Sequence, residues 1–322
     1  MSELKLNKSS GVRYLRVDRE DAGQRIDNFL LRVLKGVPKS RIYRLLRKGE
    51  VRVNKGRIGP PYRLQADDEV RIPPVRQEQE AVPDSGEVPR GLRAQLEQAL
   101  LYEDDRLIVL NKPSGVAVHG GSGIRFGVIE AFRQMRPHAG GLELVHRLDR
   151  ETSGCLMLAK RRSALRALHE CLREGAVEKK YLALLAGKMP RGSIPVEAAL
   201  RKQQLQGGER MVKVADEGKA SRTVFRTLER YPGASLVEAD IATGRTHQIR
   251  VHSAHLGHPV LGDSKYGERD ANRRLRQLGL KRLFLHAHSL RLRLPWSEEE
   301  LVVSAPLSDD LRQVLQRLER DG

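Results

Sequence analysis

Between Val75 and Glu97 the chain reads VRQEQEAVPDSGEVPRGLRAQLE, where Pro83, Gly86, Pro89 and Gly91 interrupt polar residues that offer almost nothing to bury. Such a stretch cannot join a hydrophobic core, so it reads as a linker that divides the chain into two separately folding parts. The expected organisation is a tail over 1–17, a small module over 18–74, the linker over 75–97 and a larger domain over 98–322. A length of 322 residues fits two domains, since single domains usually run to about 100–200 residues.

In the small module Ile26, Phe29, Leu30 and Val33 recur at helical spacing until Gly36-Val37-Pro38 breaks the pattern. A second helix is expected from a Ser40 cap through Lys48, apolar at Ile42, Leu45 and Leu46 and ended by Gly49. Short strands follow around 50–53 and 69–72. From Lys35 to Arg57 nine basic residues face Glu50 alone, a net +8; Lys39, Arg41, Arg44, Arg47, Lys48, Arg52 and Lys55 are the candidate contacts to an anionic partner within it.

The charge is biased across the whole chain, with 59 Lys and Arg against 41 Asp and Glu for a net +18. That balance favours a polyanionic partner, because neutralised phosphates release counterions. Aromatic residues are 4% of the chain, too few for stacking many splayed bases, so charge and RNA shape must carry binding. No apolar run approaches the roughly 18 residues of a membrane helix or resembles a signal peptide, so a cytoplasmic protein without a membrane partner is expected. Cys155 and Cys171 are too few for a disulfide framework and are expected as reduced fillers.

From Leu100 onward, strand-like runs such as RLIVLNKP, ELVHRL, CLMLAK, KYLALLAG and SLVEADIA alternate with helical segments around 127–136, 163–173 and 250–255. The economical reading is one mixed α+β domain. Within it, Val145-His146-Arg147-Leu148-Asp149-Arg150-Glu151-Thr152-Ser153-Gly154 runs from a strand end into a polar turn, a place that exposes a carboxylate on a rigid scaffold. The plainer alternative is that Asp149 caps the turn while Thr152 and Ser153 bond the local backbone, and these ten residues alone favour it. A second segment, Ala242-Thr243-Gly244-Arg245-Thr246-His247-Gln248-Ile249-Arg250-Val251-His252, sets a Gly-Arg turn before a helix. Arg245 there could pair with a carboxylate such as Asp149, or bind phosphate, or stay solvated.

His247, His252, His255 and His258 suggest a metal site only weakly, since no carboxylate or thiol lies at a convincing offset; no metal is expected. Asn111-Lys112-Pro113-Ser114-Gly115 and His119-Gly120-Gly121-Ser122-Gly123 fit no phosphate-loop pattern and read as flexible turns. Tyr181 reads by propensity as an ordinary strand aromatic. Glu143, Asp149 and Glu151 do not establish a glycosidase pair, because sequence spacing does not set their separation.

In this order, NKPSG (111–115), HRLDRETSG (146–154), EKKYLAL (178–184), TGRTHQIRVH (243–252) and RLFLHA (282–287) resemble the RluA-type family of pseudouridine synthases. Residues 18–74 resemble the S4 RNA-binding domain found at the N-terminus of many of its members, and the loop near 205–218 matches no motif. The architecture is most similar to members that modify large-subunit (23S) ribosomal RNA. The resemblance implies a mixed, largely antiparallel catalytic domain, Asp149 as catalytic residue, Tyr181 stacking on the target uracil and Arg245 bridging Asp149. It further implies Arg147 filling the space of the flipped nucleotide and Leu285 in the pocket wall. No cofactor is expected, because breaking the C1′–N1 bond, turning the base and joining C5 to C1′ imports nothing and oxidises nothing. A carboxylate serves by attacking C1′, by stabilising oxocarbenium-like charge or by taking a ribose proton. The expected partner is 23S ribosomal RNA, free or in an assembly intermediate, met by a monomer. The alternatives are a sister specificity for other 23S uridines, a non-catalytic ribosome-assembly factor and a base-removing RNA glycosylase.

Overall fold

The structure is a computed structural model that describes residues 11–34, 36–75, 86–121, 123–139, 141–204 and 210–320. The chain separates into two compact units, Met1–Gly86 and Glu87–Gly322. The first holds β1 (Arg13–Arg16), α1 (Ile26–Val33), α2 (Lys39–Lys48), β2 (Arg52–Val53), β3 (Gly56–Arg57) and β4 (Glu69–Ile72). Its four strands form an antiparallel sheet in the order β1-β4-β2-β3. Ile26, Phe29 and Leu30 of α1 pack with Ile42, Leu45 and Leu46 of α2, Val53 and Val70 in one apolar cluster. Gly49 ends α2 in the left-handed region at φ 68°, with its N–H on the last carbonyls of the helix. The start differs from expectation: Pro38 occupies the cap position and Ser40 lies inside the helix, so the fixed φ of proline rather than a hydroxyl cap opens it.

The second unit contains α3 (Arg90–Gln98), β5 (Leu100–Glu103), β6 (Leu107–Lys112), α4 (Val128–Met135), β7 (Glu143–Leu144), β8 (Ser153–Ala159), α5 (Arg162–Arg173) and β9 (Val177–Ala186). It continues through β10 (Ser193–Glu197), β11 (Leu200–Gln204), β12 (Arg210–Val214), β13 (Arg222–Tyr231), β14 (Ala234–Ile241) and α6 (Gln248–His255). It closes with α7 (Arg269–Gln277), β15 (Leu285–Arg293), β16 (Glu300–Ser304) and α8 (Asp309–Arg320). A ten-stranded sheet runs β10-β13-β14-β9-β15-β8-β6-β5, with β16 added on β15 and β7 on β8. Among the described residues its pairs are antiparallel except β15 with β8, and the fold is α+β. Side-chain alternation gives the sheet two cores. Tyr181, Ala183, Leu185, Val237 and Ala239 join one cluster, while Leu184 and Leu236 join another with Leu275 of α7 and Leu311, Val314 and Leu318 of α8.

Two expectations are corrected. The linker expected over 75–97 does not extend so far: Arg90–Gln98 is helical, and Val88 and Leu96 are buried in the main core with Leu92 packed against it. Leu92 and Leu96 are four apart, and this single apolar stripe suffices to dock an otherwise polar helix. The stretch around 205–218, expected as a loop, contains a strand: β12 (Arg210–Val214) pairs antiparallel with β11 in a separate two-stranded sheet, and residues 205–209 lie outside the described residues. Lys35 and residues 76–85, within the basic run and the linker respectively, lie outside the described residues.

Candidate active site

The parallel pair of the large sheet sets the position of the Asp149 loop. Ser153 and Gly154 open β8 opposite His286 and Ala287 of β15. Gly154 has φ 107°, and a Cβ there would meet the Ala287 carbonyl oxygen at 2.2 Å, so only glycine lets the strands approach. Just before this contact the Thr152 N–H donates to the Asp149 carbonyl at 3.1 Å, closing the turn with main-chain atoms. The Asp149 side chain does not cap that turn; it points into a pocket.

The pocket floor is one face of the sheet. Tyr181 of β9 lies in register between Ala239 of β14 and Ala287 of β15, whose small side chains leave room around the ring. Two residues along the flanking strands, on the same face, Ile241 and Leu285 complete an apolar floor. Asp149, Arg147, Thr152 and the Gly244–Arg250 segment form the walls. Burial and the nearby Asp149 charge push the Tyr181 phenol well above its usual range, so the ring is neutral at physiological pH. Arg147 is exposed at the rim, and Leu285 is buried.

The expected Arg245–Asp149 ion pair gives way to a different one. Arg250 Nη1 donates to Asp149 Oδ2 at 3.2 Å, and its Nε and Nη2 grip Asp263 Oδ2 and Oδ1 at 2.6 and 2.8 Å. Arg245 is exposed; its Nε donates to the Ala220 carbonyl at 3.3 Å and its N–H to Gln248 Oε1 at 3.0 Å. The physical reason is helix register: Arg250 is the third residue of α6 and is buried, whereas Arg245 lies in the preceding solvent-facing turn. Desolvation would lower the Arg250 pKa, yet hydrogen bonds and charge from Asp263 and then Asp149 outweigh it and drive the net shift up. For Asp263 burial alone would raise the pKa, but the Arg250 hydrogen bonds and charge and the Lys265 and Tyr266 N–H donors lower it. Asp263 lies in none of the quoted motifs, and Arg250, though inside TGRTHQIRVH, is not distinguished there from Arg245. A signal is nonetheless there: an arginine on the buried side of a helix needs a buried acid, and LGDSKYG supplies one 13 residues later.

Lys112 is a further residue that sequence reasoning misses. Its side chain is fully buried, and Nζ donates to the carbonyls of Pro113, Val116 and Arg150 at 2.9, 2.8 and 3.1 Å. Gly115 N–H donates to the Arg150 carbonyl, Arg150 Nε returns to the Gly115 carbonyl, and Ser114 Oγ donates to the Glu151 carbonyl. The Asn111–Gly115 segment, expected as a flexible turn, is therefore a clasp on the Asp149 loop. Burial pulls the Lys112 ammonium down to about 7, with Asp149 opposing and Arg282 adding to the shift.

His252 lies between Thr223 Oγ1 at 2.9 Å and the Ala198 carbonyl at 3.0 Å, and His258 contacts the Ala186 carbonyl at 2.7 Å. Among the described residues no group of three or more His, Cys, Asp or Glu is placed to hold a metal ion. Cys155 is buried and Cys171 half-buried. No helix among the described residues is long and apolar enough to cross a membrane.

Residues 106–255 match the family model described as RNA pseudouridylate synthase, and residues 24–70 match the S4 domain. The ribosomal large subunit pseudouridine synthase C of Haemophilus ducreyi is 54% identical over 314 residues, covering 96% of this chain and 97% of the relative. The chain belongs to the RNA pseudouridine synthase family. The synthase of the same description from Escherichia coli strain K12 is 55% identical over 313 residues, covering 95% and 97%. Among solved structures, human RNA pseudouridylate synthase domain containing 4 superposes with a TM-score of 0.59 at 27% identity, covering 71% of this enzyme and 96% of that chain.

In the first unit Lys39, Arg44, Arg47, Lys48, Arg52 and Lys55 are exposed and Arg41 is half-exposed. Asn54 and Lys55, both at positive φ, make the two-residue turn between β2 and β3 that displays the Lys55 side chain. None of these seven cations has an acidic partner among the described ion pairs, which leaves their charge available to phosphate.

Proposed function

We propose that the enzyme converts specific uridines of large-subunit (23S) ribosomal RNA to pseudouridine, with Asp149 as the catalytic residue and no cofactor. The observation that carries this reading is the Asp149 carboxylate, held through Oδ2 by Arg250 beside the neutral Tyr181 ring and an apolar floor. The substrate class rests on the relatives described as ribosomal large subunit pseudouridine synthases, similar along nearly the whole chain.

The two described contacts of the Asp149 carboxylate, from Arg250 and His247, both fall on Oδ2. Oδ1 is then the oxygen offered to the ribose when the C1′–N1 bond breaks. The freed uracil turns against the Tyr181 face, C5 joins C1′, and the hydrogen on C5 leaves to solvent as N1 gains one. A base inside RNA structure reaches this floor only by leaving its stack, and Arg147 at the rim is suited to fill the vacated space. Arg245 takes up an RNA phosphate rather than Asp149; with Arg201, Lys202 and Lys219 it lines a cleft of about 390 Å³ adjoining the pocket at Gly244–Thr246. The exposed cations of α2 and the β2–β3 turn add backbone contacts. One chain carries every group this scheme uses, which supports action as a monomer on cytoplasmic rRNA, free or in an assembly intermediate.

The test is tritium release from 5-labelled uridine in large-subunit rRNA. The wild-type enzyme releases label, and Asp149→Asn releases none while keeping RNA affinity within about twofold, because many cations share phosphate binding. Label release by Asp149→Asn near the wild-type rate removes Asp149 from the chemistry.

A further inference from the structure

The network behind Asp149 extends to an element outside the main sheet. The Val212 N–H of β12 donates to the Tyr266 hydroxyl at 2.9 Å, and that hydroxyl lies 2.8 Å from His247 Nδ1. His247 Nε2 faces Asp149 Oδ2 at 3.7 Å, and the Arg250 guanidinium stands 5.1 Å from the Tyr266 ring centroid. Val212 joins Leu200 and Val251 in a small cluster with Tyr266 packed against it, which fixes the hairpin to α6. His247 itself sits at φ 54°, a left-handed conformation that is costly for a residue with a side chain and is retained here at the mouth of the site.

The donors in this chain of contacts favour one arrangement of hydrogens. A backbone amide can only donate, so the Tyr266 oxygen accepts from Val212 and its own hydrogen is free for His247 Nδ1. With the Tyr266 hydroxyl donating to Nδ1, the proton of a neutral imidazole is on Nε2, facing a carboxylate oxygen. The opposite tautomer would turn a lone pair of Nε2 towards the Asp149 charge. Burial, first among its causes, lowers the His247 pKa and keeps the ring neutral; the Asp149 and Asp263 charges oppose this, and Arg250 and Lys265 reinforce it.

We propose that His247 is a positioning residue for Asp149, fixed as its Nε2–H tautomer by Tyr266 and, through Tyr266, by the Val212 amide of the β11–β12 hairpin. His247 and Arg250 hold the same oxygen from two sides, so Oδ1 alone turns to the ribose. The Nε2–Oδ2 separation of 3.7 Å in the open pocket becomes a hydrogen bond when substrate excludes water. The inference rests on the catalytic assignment of Asp149, but its primary readout needs no RNA.

The full-length enzyme labelled with ¹⁵N-histidine and observed by long-range ¹H–¹⁵N correlation near neutral pH reports the tautomer directly, with the His247 signals identified by their loss in His247→Gln. The expected result is an Nε2–H pattern in the wild type that becomes a mixture in Tyr266→Phe, which keeps the ring and removes the hydroxyl. Tyr266→Phe lowers kcat about tenfold or more and leaves KM for RNA within about twofold. His247→Gln, which can present an N–H where Nε2 was, retains more kcat than His247→Leu. An Nδ1–H pattern in the wild-type enzyme, or wild-type kcat in Tyr266→Phe, overturns the proposal. If the RNA substrate were assigned wrongly, the wild-type tautomer result would still stand.

Discussion

The Arg250 guanidinium serves two carboxylates in different surroundings, and the division of its donors separates their roles. Asp263 is inaccessible and takes two of them with two further backbone N–H groups, whereas Asp149 takes one and keeps 21% of its side chain exposed to the pocket. Asp263 anchors the guanidinium and Asp149 uses it. Arg250→Met therefore leaves a buried acid unpaired, and the expected outcome is a loss of about 3–5 kcal/mol of stability together with activity. Arg245→Met keeps kcat near wild type and raises KM for RNA, since it removes only a cation at the surface. Steady-state kinetics beside thermal unfolding check both, and a collapse of kcat in Arg245→Met with intact stability contradicts the division. The family, and with it the segment that carries Asp149, was legible because five segments stand in a recognisable order. Which of two arginines five residues apart would face it was not legible, because the sequence does not fix whether the Gly244–Arg245 turn or the buried side of α6 lies against the Asp149 loop.

At the scale of elements, the end of β6 and the loop before β8 act as one body because the Lys112 ammonium gathers three carbonyls from both. Lys112→Met keeps the alkyl volume and removes the Nζ donor from the Pro113 and Val116 carbonyls, while the Arg150 carbonyl keeps the Gly115 N–H. A loss of about 3 kcal/mol is expected, at roughly 1–3 kcal/mol for each buried group left unsatisfied and with partial relaxation. The same group predicts a pH signature. With its folded pKa pulled down to about 7, below the ordinary lysine value of about 10.4, the unfolded chain binds more protons across that window. This group therefore adds stability as pH rises from 7 to 10, and Lys112→Met lacks that rise. Thermal melts of both proteins at pH 7 and 9 make the comparison, and parallel pH trends contradict it. Periodicity exposed α1, α2, α4 and α5 because each shows a repeated apolar stripe. It failed for α3, whose two-leucine stripe is diluted by polar neighbours, and for the Asn111–Gly115 clasp, whose function lies in carbonyls no side-chain pattern reveals.

For the whole molecule, the net charge of +18 and the division after Gly86 imply that affinity and chemistry are separable. The cut belongs at Glu87 and not near Gln98, because the later start removes Val88, Leu92 and Leu96 from the core. A chain beginning at Glu87 should fold, reach wild-type kcat at saturating RNA and bind more weakly. Its slope of log affinity against log salt should flatten by about 0.7–0.9 for each RNA phosphate that the missing module no longer neutralises. Fluorescence titration from low to high salt measures this, and unchanged affinity and slope would mean that the exposed cations of α2 serve solubility alone. The two-part organisation was legible in the sequence because charge and Pro/Gly content change abruptly, while the boundary was misplaced because a docked helix can be mostly polar. The claim that uridines of large-subunit rRNA are the substrate is tested most directly by mapping pseudouridine along that RNA in cells lacking the protein and complemented with wild type or Asp149→Asn. The account predicts discrete 23S positions that lose pseudouridine, regain it with wild type and stay unmodified with Asp149→Asn; an unchanged 23S map in cells lacking the protein would contradict it.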